Sequence, residues 1–188
     1  MQFVGRKSPA GSCRFSIALA GVLATSALAF SQNNTGANAR PEDVASPAAV
    51  VRASYVAISG PPGQPLNLDR FRSLFLPQAQ LVSVSVKNGQ VVAHAMTLSE
   101  FTDMVTARIG KDGHIEHEIM QRVDLYGNIA NVWSSYESRK TPDDPLVTRG
   151  INSIQLMNDG KRWWISGAQW QHETAEAPIP AKYLSGAH

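Results

Sequence analysis

The chain has 188 residues, 43% of them apolar, with 17 Lys and Arg against 15 Asp and Glu. Three basic residues (Arg6, Lys7, Arg14) and no acidic one fall in the first 14 positions, so the remainder carries 14 basic against 15 acidic residues. A near-neutral chain without a basic run is not built to hold nucleic acid or an anionic membrane surface. The length suits one domain with a sizeable core, and the composition excludes collagen-like, coiled-coil and disordered classes.

After the basic start, residues 15–30 carry no charge, and Ala27-Leu28-Ala29 supplies the small-x-small pattern of a cleavage site. Residues 1–29 are therefore expected to be a secretory signal, with the product periplasmic or extracellular. The apolar run of about 16 residues is short against the roughly 20 that a membrane span needs. No span is expected once the signal is removed. The single cysteine, Cys13, precedes that run. The expected mature chain thus has no thiol for disulfides, nucleophilic catalysis or thiolate metal sites. No cofactor and no metal are expected.

Residues 30–45, rich in Ser, Gln, Asn, Gly and Ala, read as a flexible linker. Ser46-Pro47 is a helix start, with a capping hydroxyl followed by proline in the first turn. Ala48, Val51, Tyr55 and Ile58 follow at helical spacing, and Gly60-Pro61-Pro62-Gly63 ends the helix. Asn67 can cap a second short helix with Leu68, Phe71, Leu74 and Phe75 on its apolar face and Pro77 as its stop. Period-two alternation begins at Val82, and Asn88-Gly89 marks a hairpin. Thr97-Leu98-Ser99-Glu100 is a capping box before a third helix that Gly110 can end. Four strands follow, at about 114–125, 129–139, 149–158 and 161–171, as an antiparallel meander. Residues 174–188 form a tail whose Pro178 and Pro180 exclude helix and central strand. The fold class is α+β, with helices on one face of a curved sheet.

This order resembles the nuclear transport factor 2-like (NTF2-like) superfamily over about residues 46–173. The resemblance is carried by Gly127-Asn128-Ile129-Ala130-Asn131-Val132 and by Asp159-Gly160-Lys161-Arg162-Trp163-Trp164-Ile165. Within that superfamily it is similar to the SnoaL-like and DUF4440-like bacterial branch. The resemblance implies a cone with a small apolar pocket between sheet and helices, and often a homodimer through the outer sheet face. Enzymes of the superfamily include ketosteroid isomerases, dehydratases and polyketide cyclases, so the fold does not select an activity.

Several residues are candidates for the pocket. His117 falls on the more apolar face of its strand, with Ile115 and Ile119. It reads either as a hydrogen-bonded core histidine or as the candidate general base of an isomerase, dehydratase or cyclase. The expected function is ligand binding without assignable catalysis, with such an enzyme or an interaction module on the outer sheet face as the alternatives. Tyr136 shares the inward face with Ala130, Val132 and Ser134, and is the expected phenol near a ligand carbonyl. Pairing about Gly127 sets 117 opposite 137 and 118 opposite 136. Trp163, Gln155 and Gln169 are the expected ligand contacts, and Gln169 can orient but not move a proton. His114, Glu116 and Glu118 share the other face of their strand and read as solvated. No carboxylate is placed inward, so Asp69 or Asp103 would have to serve from the helices. Trp164 and Trp170 are expected outward, as the basis of a homodimer.

Overall fold

The computed structural model describes residues 39–109 and 112–184. The expected signal at 1–29, the first nine residues of the expected linker, the Gly110 cap and the last four residues lie outside them. Among the described residues, no helix is long and apolar enough to cross a membrane.

A 3-10 turn at Pro41–Val44 leads into α1 (Pro47–Ile58). Asp43 and Val44 of that turn are buried, so the loose linker expected over 30–45 ends before Pro41. Asp43 is what ties it down. Its carboxylate accepts from Arg70 at 2.6 and 2.9 Å and from the Arg40 amide at 3.1 Å. The Ser46 hydroxyl caps α1 by accepting from the Ala49 amide at 3.1 Å. Ser46→Ala is expected to cost about 1 kcal/mol of stability, read as a lower urea midpoint at unchanged slope.

α2 (Leu68–Arg72) is shorter than expected. Leu74 and Phe75 are buried, but they lie beyond the helix, and Phe75 begins β1 (Phe75–Lys87). Pro77 therefore sits within a strand. The ladder is interrupted there, between Phe75 and Gln80, as a residue without an N–H requires. β1 turns through Asn88-Gly89, both at positive φ, into β2 (Gln90–Thr97). α3 (Leu98–Ile109) then starts on the expected capping box, with the Thr97 amide donating to Glu100 at 2.7 Å. The meander follows as β3 (Ile115–Tyr126), β4 (Ile129–Arg139), β5 (Thr148–Asn158) and β6 (Trp163–His172).

The six strands lie in the order β2-β1-β6-β5-β4-β3, all antiparallel except the β1–β6 pair. α1, α2 and α3 cover one face of this curved sheet. Between them lie Val50, Val51, Phe71, Phe101, Leu81, Val132, Ile154, Leu156 and Ile165, all buried. The Asp159-to-Ile165 stretch is a turn that caps itself. Asp159 accepts from the amides of Lys161 and Arg162, each at 2.9 Å, and from the Trp164 indole at 2.9 Å.

Two bulges decide which side chains reach the interior. β6 has one extra residue, Ser166, because Gln155 pairs with Gly167 while Leu156 pairs with Ile165. An extra residue inverts the facing of everything beyond it. Trp163 and Ile165 point inward before the bulge; Ala168 and Trp170 do so after it. In β3 the register shifts between Glu118 and Met120, leaving Ile119 unpaired.

Candidate functional site at the mouth of the cone

The inward face of β3 carries Glu116 and Glu118, not His117. His117 pairs with Glu137 and Glu118 with Tyr136, the register expected from the Gly127 turn. Paired residues share a face, and Tyr136 is the inward one, 2% exposed. His117 is thus on the outer face, with its Nε2 3.2 Å from Glu137 and its side chain 55% exposed. The catalytic pairing of His117 with Tyr136 is corrected: the two lie on opposite faces of the sheet. The expectation that no carboxylate faces inward is corrected with it.

Two polyvalent networks hold the inward groups. In the first, the Ser134 hydroxyl donates to Glu118 Oε1 at 2.5 Å and meets the Tyr55 hydroxyl at 2.8 Å. Asn152 donates to the same Tyr55 oxygen at 2.8 Å, and Gln121 donates to Glu118 Oε1 at 2.8 Å. Because Asn152 and Ser134 are both committed, one chain of hydrogen bonds runs from β5 through α1 and β4 to β3. In the second, the Tyr136 hydroxyl lies 2.9 Å from His172 Nδ1, with Thr148 Oγ1 at 3.1 Å from the same nitrogen. The rings of Tyr55 and Tyr136 are 6.4 Å apart, so the networks adjoin. His114 Nε2 lies 3.1 Å from Glu116 Oε2 beside them, and the Ser59 hydroxyl of α1's C-cap donates to the Glu116 carbonyl at 3.0 Å.

Burial perturbs these groups in a consistent direction. It raises the Glu118 pKa above the ordinary glutamate range, against the hydrogen bonds from Ser134 and Gln121 and the field of Arg52. It pushes both Tyr55 and Tyr136 far above the ordinary phenol range. It lowers His172, which keeps that ring neutral and leaves Nδ1 free to accept from Tyr136. The cluster thus holds two neutral phenols, their protons committed to Ser134 and His172, and a carboxylate whose proton is held more tightly than usual. Among the described residues, no three His, Cys, Asp or Glu side chains converge to hold a metal ion.

The expected ligand contacts separate. Trp163 is buried in the core, 8% exposed. Gln155 and Gln169 come together, but on the convex face of the sheet, where they line one cleft. The Ser166 bulge is the reason for Gln169: without the extra residue it would face inward with Ile165. The same bulge turns Trp170 inward, where it meets Phe101 edge-on at 5.8 Å. Trp164 does face outward, yet it is 4% exposed, covered by the Arg162 guanidinium at 3.6 Å from its ring. The tryptophan pair expected to carry a dimer interface is therefore not presented. Asp69 is exposed and pairs with Arg72 at 3.1 Å on α2, away from this cluster.

Between sheet and helices, the inward polar groups of this cluster are hydrogen-bonded to one another. Two clefts are lined by described residues, and both open on the convex side. The missed signal was the pair Glu116 and Glu118 itself. Alternating acids opposite Ser138 and Tyr136 read as solvent-facing, although the pairing places them inside.

No protein-family profile matches the chain, and no curated protein does. Solved structures do. A cystatin-like-fold protein of unknown function from Methylobium petroleophilum superposes with a TM-score of 0.50 at 14% identity, covering 70% of this chain and 78% of that one. An NTF2-like protein of unknown function from Silicibacter pomeroyi gives 0.45 at 16% identity, over 67% and 92% of the two chains. A Parabacteroides distasonis protein provisionally called a ketosteroid isomerase gives 0.47 at 14% identity, over 69% and 89%. At these identities the likeness concerns the fold alone. Element order, sheet order and the 0.50 superposition agree on the fold: helices on one face of a curved, mostly antiparallel sheet, as in that cystatin-like-fold protein.

Proposed function

We propose that this domain binds a small, largely apolar molecule at the mouth of the cone, oriented by Tyr55, Tyr136, His172 and Glu118. The observation that carries the reading is the convergence of two phenols and an inward carboxylate from α1, β3 and β4 beside an apolar core. Convergent polar groups with pKa values perturbed by burial are the usual candidates for a binding site. All these groups come from one chain, so the reading does not require the expected homodimer. The signal-like leader supports a ligand met outside the cytoplasm.

Native mass spectrometry of the full chain tests this. The expected result is a small added mass on the wild type that is lost on Glu118→Gln and on Tyr136→Phe. A wild type at its bare mass that also fails to bind the neutral dye Nile red would overturn it.

A second reading, proton transfer without a cofactor, is favoured by one observation: an inward Glu118 whose pKa is raised by burial. A carboxylate whose pKa is raised is a stronger base and can both take and return a proton. Carbon-13 NMR of the Glu118 carboxyl is expected to show a midpoint above the ordinary value of 4.5. The linkage has a definite sign. A raised carboxyl pKa means that folding is opposed once pH exceeds the unfolded value. Glu118→Gln should therefore gain stability relative to wild type as pH rises from 4.5 toward neutrality. A titration at or below that value, with a pH-independent difference in melting temperature, would remove Glu118 as a base.

A further inference from the structure

The convex face of the sheet carries an arrangement that the mouth does not use. Pairing across four strands sets Gln80, Gly167, Gln155 and Asn131 in one row. Val82, Gln169, Ser153 and Trp133 form the next, and Val84, Gln171, Ile151 and Ser135 the third. None of these twelve positions is ionisable. Ser135 and Ser153 are buried, and the other ten form an uncharged, amide-rich patch where a designed surface would carry about a quarter to a third charged residues.

The face is also shaped. A cleft of about 320 Å³ lies between the sheet and the C-terminal segment, with Trp133, Ile151 and Gln169 on its floor and Ala177–Pro180 as its wall. A second cleft of about 400 Å³ continues from it and shares Gln169, adding Gln78, Gln80 and Gln155. The wall is fastened rather than draped. Glu173 accepts from the Ile179 amide at 2.9 Å and from Arg149 at 2.8 Å; the Ser135 hydroxyl donates to the Tyr183 carbonyl at 2.5 Å. Ile179 is buried, and the Tyr183 ring lies 5.8 Å from that of Trp133. Two ionisable residues, His172 and Glu173, line the rim of the first cleft, and Glu173 is paired with Arg149. In the second cleft, Gln155 Nε2 is held by Asn131 and Ser153, which fixes its amide and leaves Oε1 to accept.

We propose that this convex groove binds a neutral oligosaccharide. A sugar chain presents hydroxyls that both donate and accept, and glutamine amides do the same without a net charge. Its apolar C–H faces can pack on the Trp133 indole at the floor. Four strands at about 4.8 Å spacing span roughly 14 Å, the length of about three sugar rings. A second copy of the chain fits less well, because the tail stands above half of the face and keeps two such surfaces from meeting flat.

Isothermal titration calorimetry of the full chain tests the groove, with cellotetraose, maltotetraose, laminaritetraose and N-acetylchitotetraose as probes and tetragalacturonate as the charged comparison. At least one neutral tetrasaccharide should bind. Gln169→Leu should weaken it about tenfold, as loss of one hydrogen-bonding group in a site built for it does. Trp133→Ala should weaken it as much, and circular dichroism of both variants guards against unfolding. The binding of none of the four, equal binding of tetragalacturonate, or wild-type affinity in a folded Gln169→Leu would overturn the proposal. So would sedimentation showing a dimer that Gln169→Lys disperses, since the face would then be an interface between copies.

Discussion

Replacing Asp43 by alanine is expected to cost about 3 kcal/mol of stability, the loss found when one partner of a buried ion pair is removed. The Asp43 side chain is 6% exposed and that of Arg70 12%, so neither charge can fall back on water. Two guanidinium hydrogens and the Arg40 amide converge on one carboxylate. Its removal orphans all three donors and frees the segment before α1. The pH dependence follows from the same contacts. Arg70 and, against some cost of burial, the Arg40 amide hold the Asp43 pKa below its ordinary 3.8. A depressed carboxyl pKa contributes stability that is complete above the unfolded value and is lost as pH falls through the folded one. Urea unfolding should therefore separate wild type from Asp43→Ala fully at pH 7 and progressively less below about pH 4. An equal gap at pH 7 and at pH 2.5 would show that the pair contributes by shape rather than by charge.

The Asp43 anchor was not legible in the sequence, for a physical reason. Residues 40–45 have linker composition, and nothing local says that Arg70, 27 positions away, will close on them. What was legible depended on local chemistry. Ser46, Asn67 and the Thr97–Glu100 box are caps, and each starts a helix where its hydrogen bond requires. Asn88-Gly89 turns because both residues accept positive φ. The β3–β4 register expected from a turn centred on Gly127 is one residue off near the turn, where Tyr126 pairs with Ile129, and 117 meets 137 only because the Ile119 bulge shifts the ladder.

The site was less legible because facing is a global property. Alternation says which residues share a face, but polarity was used to choose which face is inside. That choice failed for β3, where burying Glu118 is made tolerable by Ser134 and Gln121, two partners from different positions in the chain. In β6 the alternation itself breaks at Ser166, so Gln169 and Trp170 exchange sides. A single inserted residue thus moves an amide from the core side to the convex groove and an indole from the surface to the core. The two candidate sites of this domain are both consequences of such bulges: one sits near the acids of the bulged β3, the other around the amide displaced by the bulged β6.

The sharpest test of the mouth comes from a residue that has no side chain. Gly150 pairs with Tyr136 on one side and His172 on the other, between the two partners of the phenol–imidazole contact. A methyl group at position 150 would lie 2.5 Å from the Tyr136 hydroxyl and 2.6 Å from the Gln171 carbonyl. One neighbour is the end of a ring already 2% exposed, the other is backbone in the sheet, so neither can yield cheaply. Overpacking of this kind typically costs about 1–3 kcal/mol, and Gly150→Ala is expected at the upper end of that range. Its more specific effect is on geometry: the Tyr136 hydroxyl must leave His172 Nδ1, now 2.9 Å away. Desolvation lowers the His172 pKa, and the phenol's hydrogen bond to Nδ1 favours the neutral ring, so its loss should make the imidazole titrate higher in Gly150→Ala than in wild type. Proton NMR of the His172 ring reads that shift, and chemical denaturation reads the cost. A folded Gly150→Ala with wild-type stability and an unmoved His172 titration would mean that Tyr136 has room to spare, and that its contact with His172 does not shape the mouth.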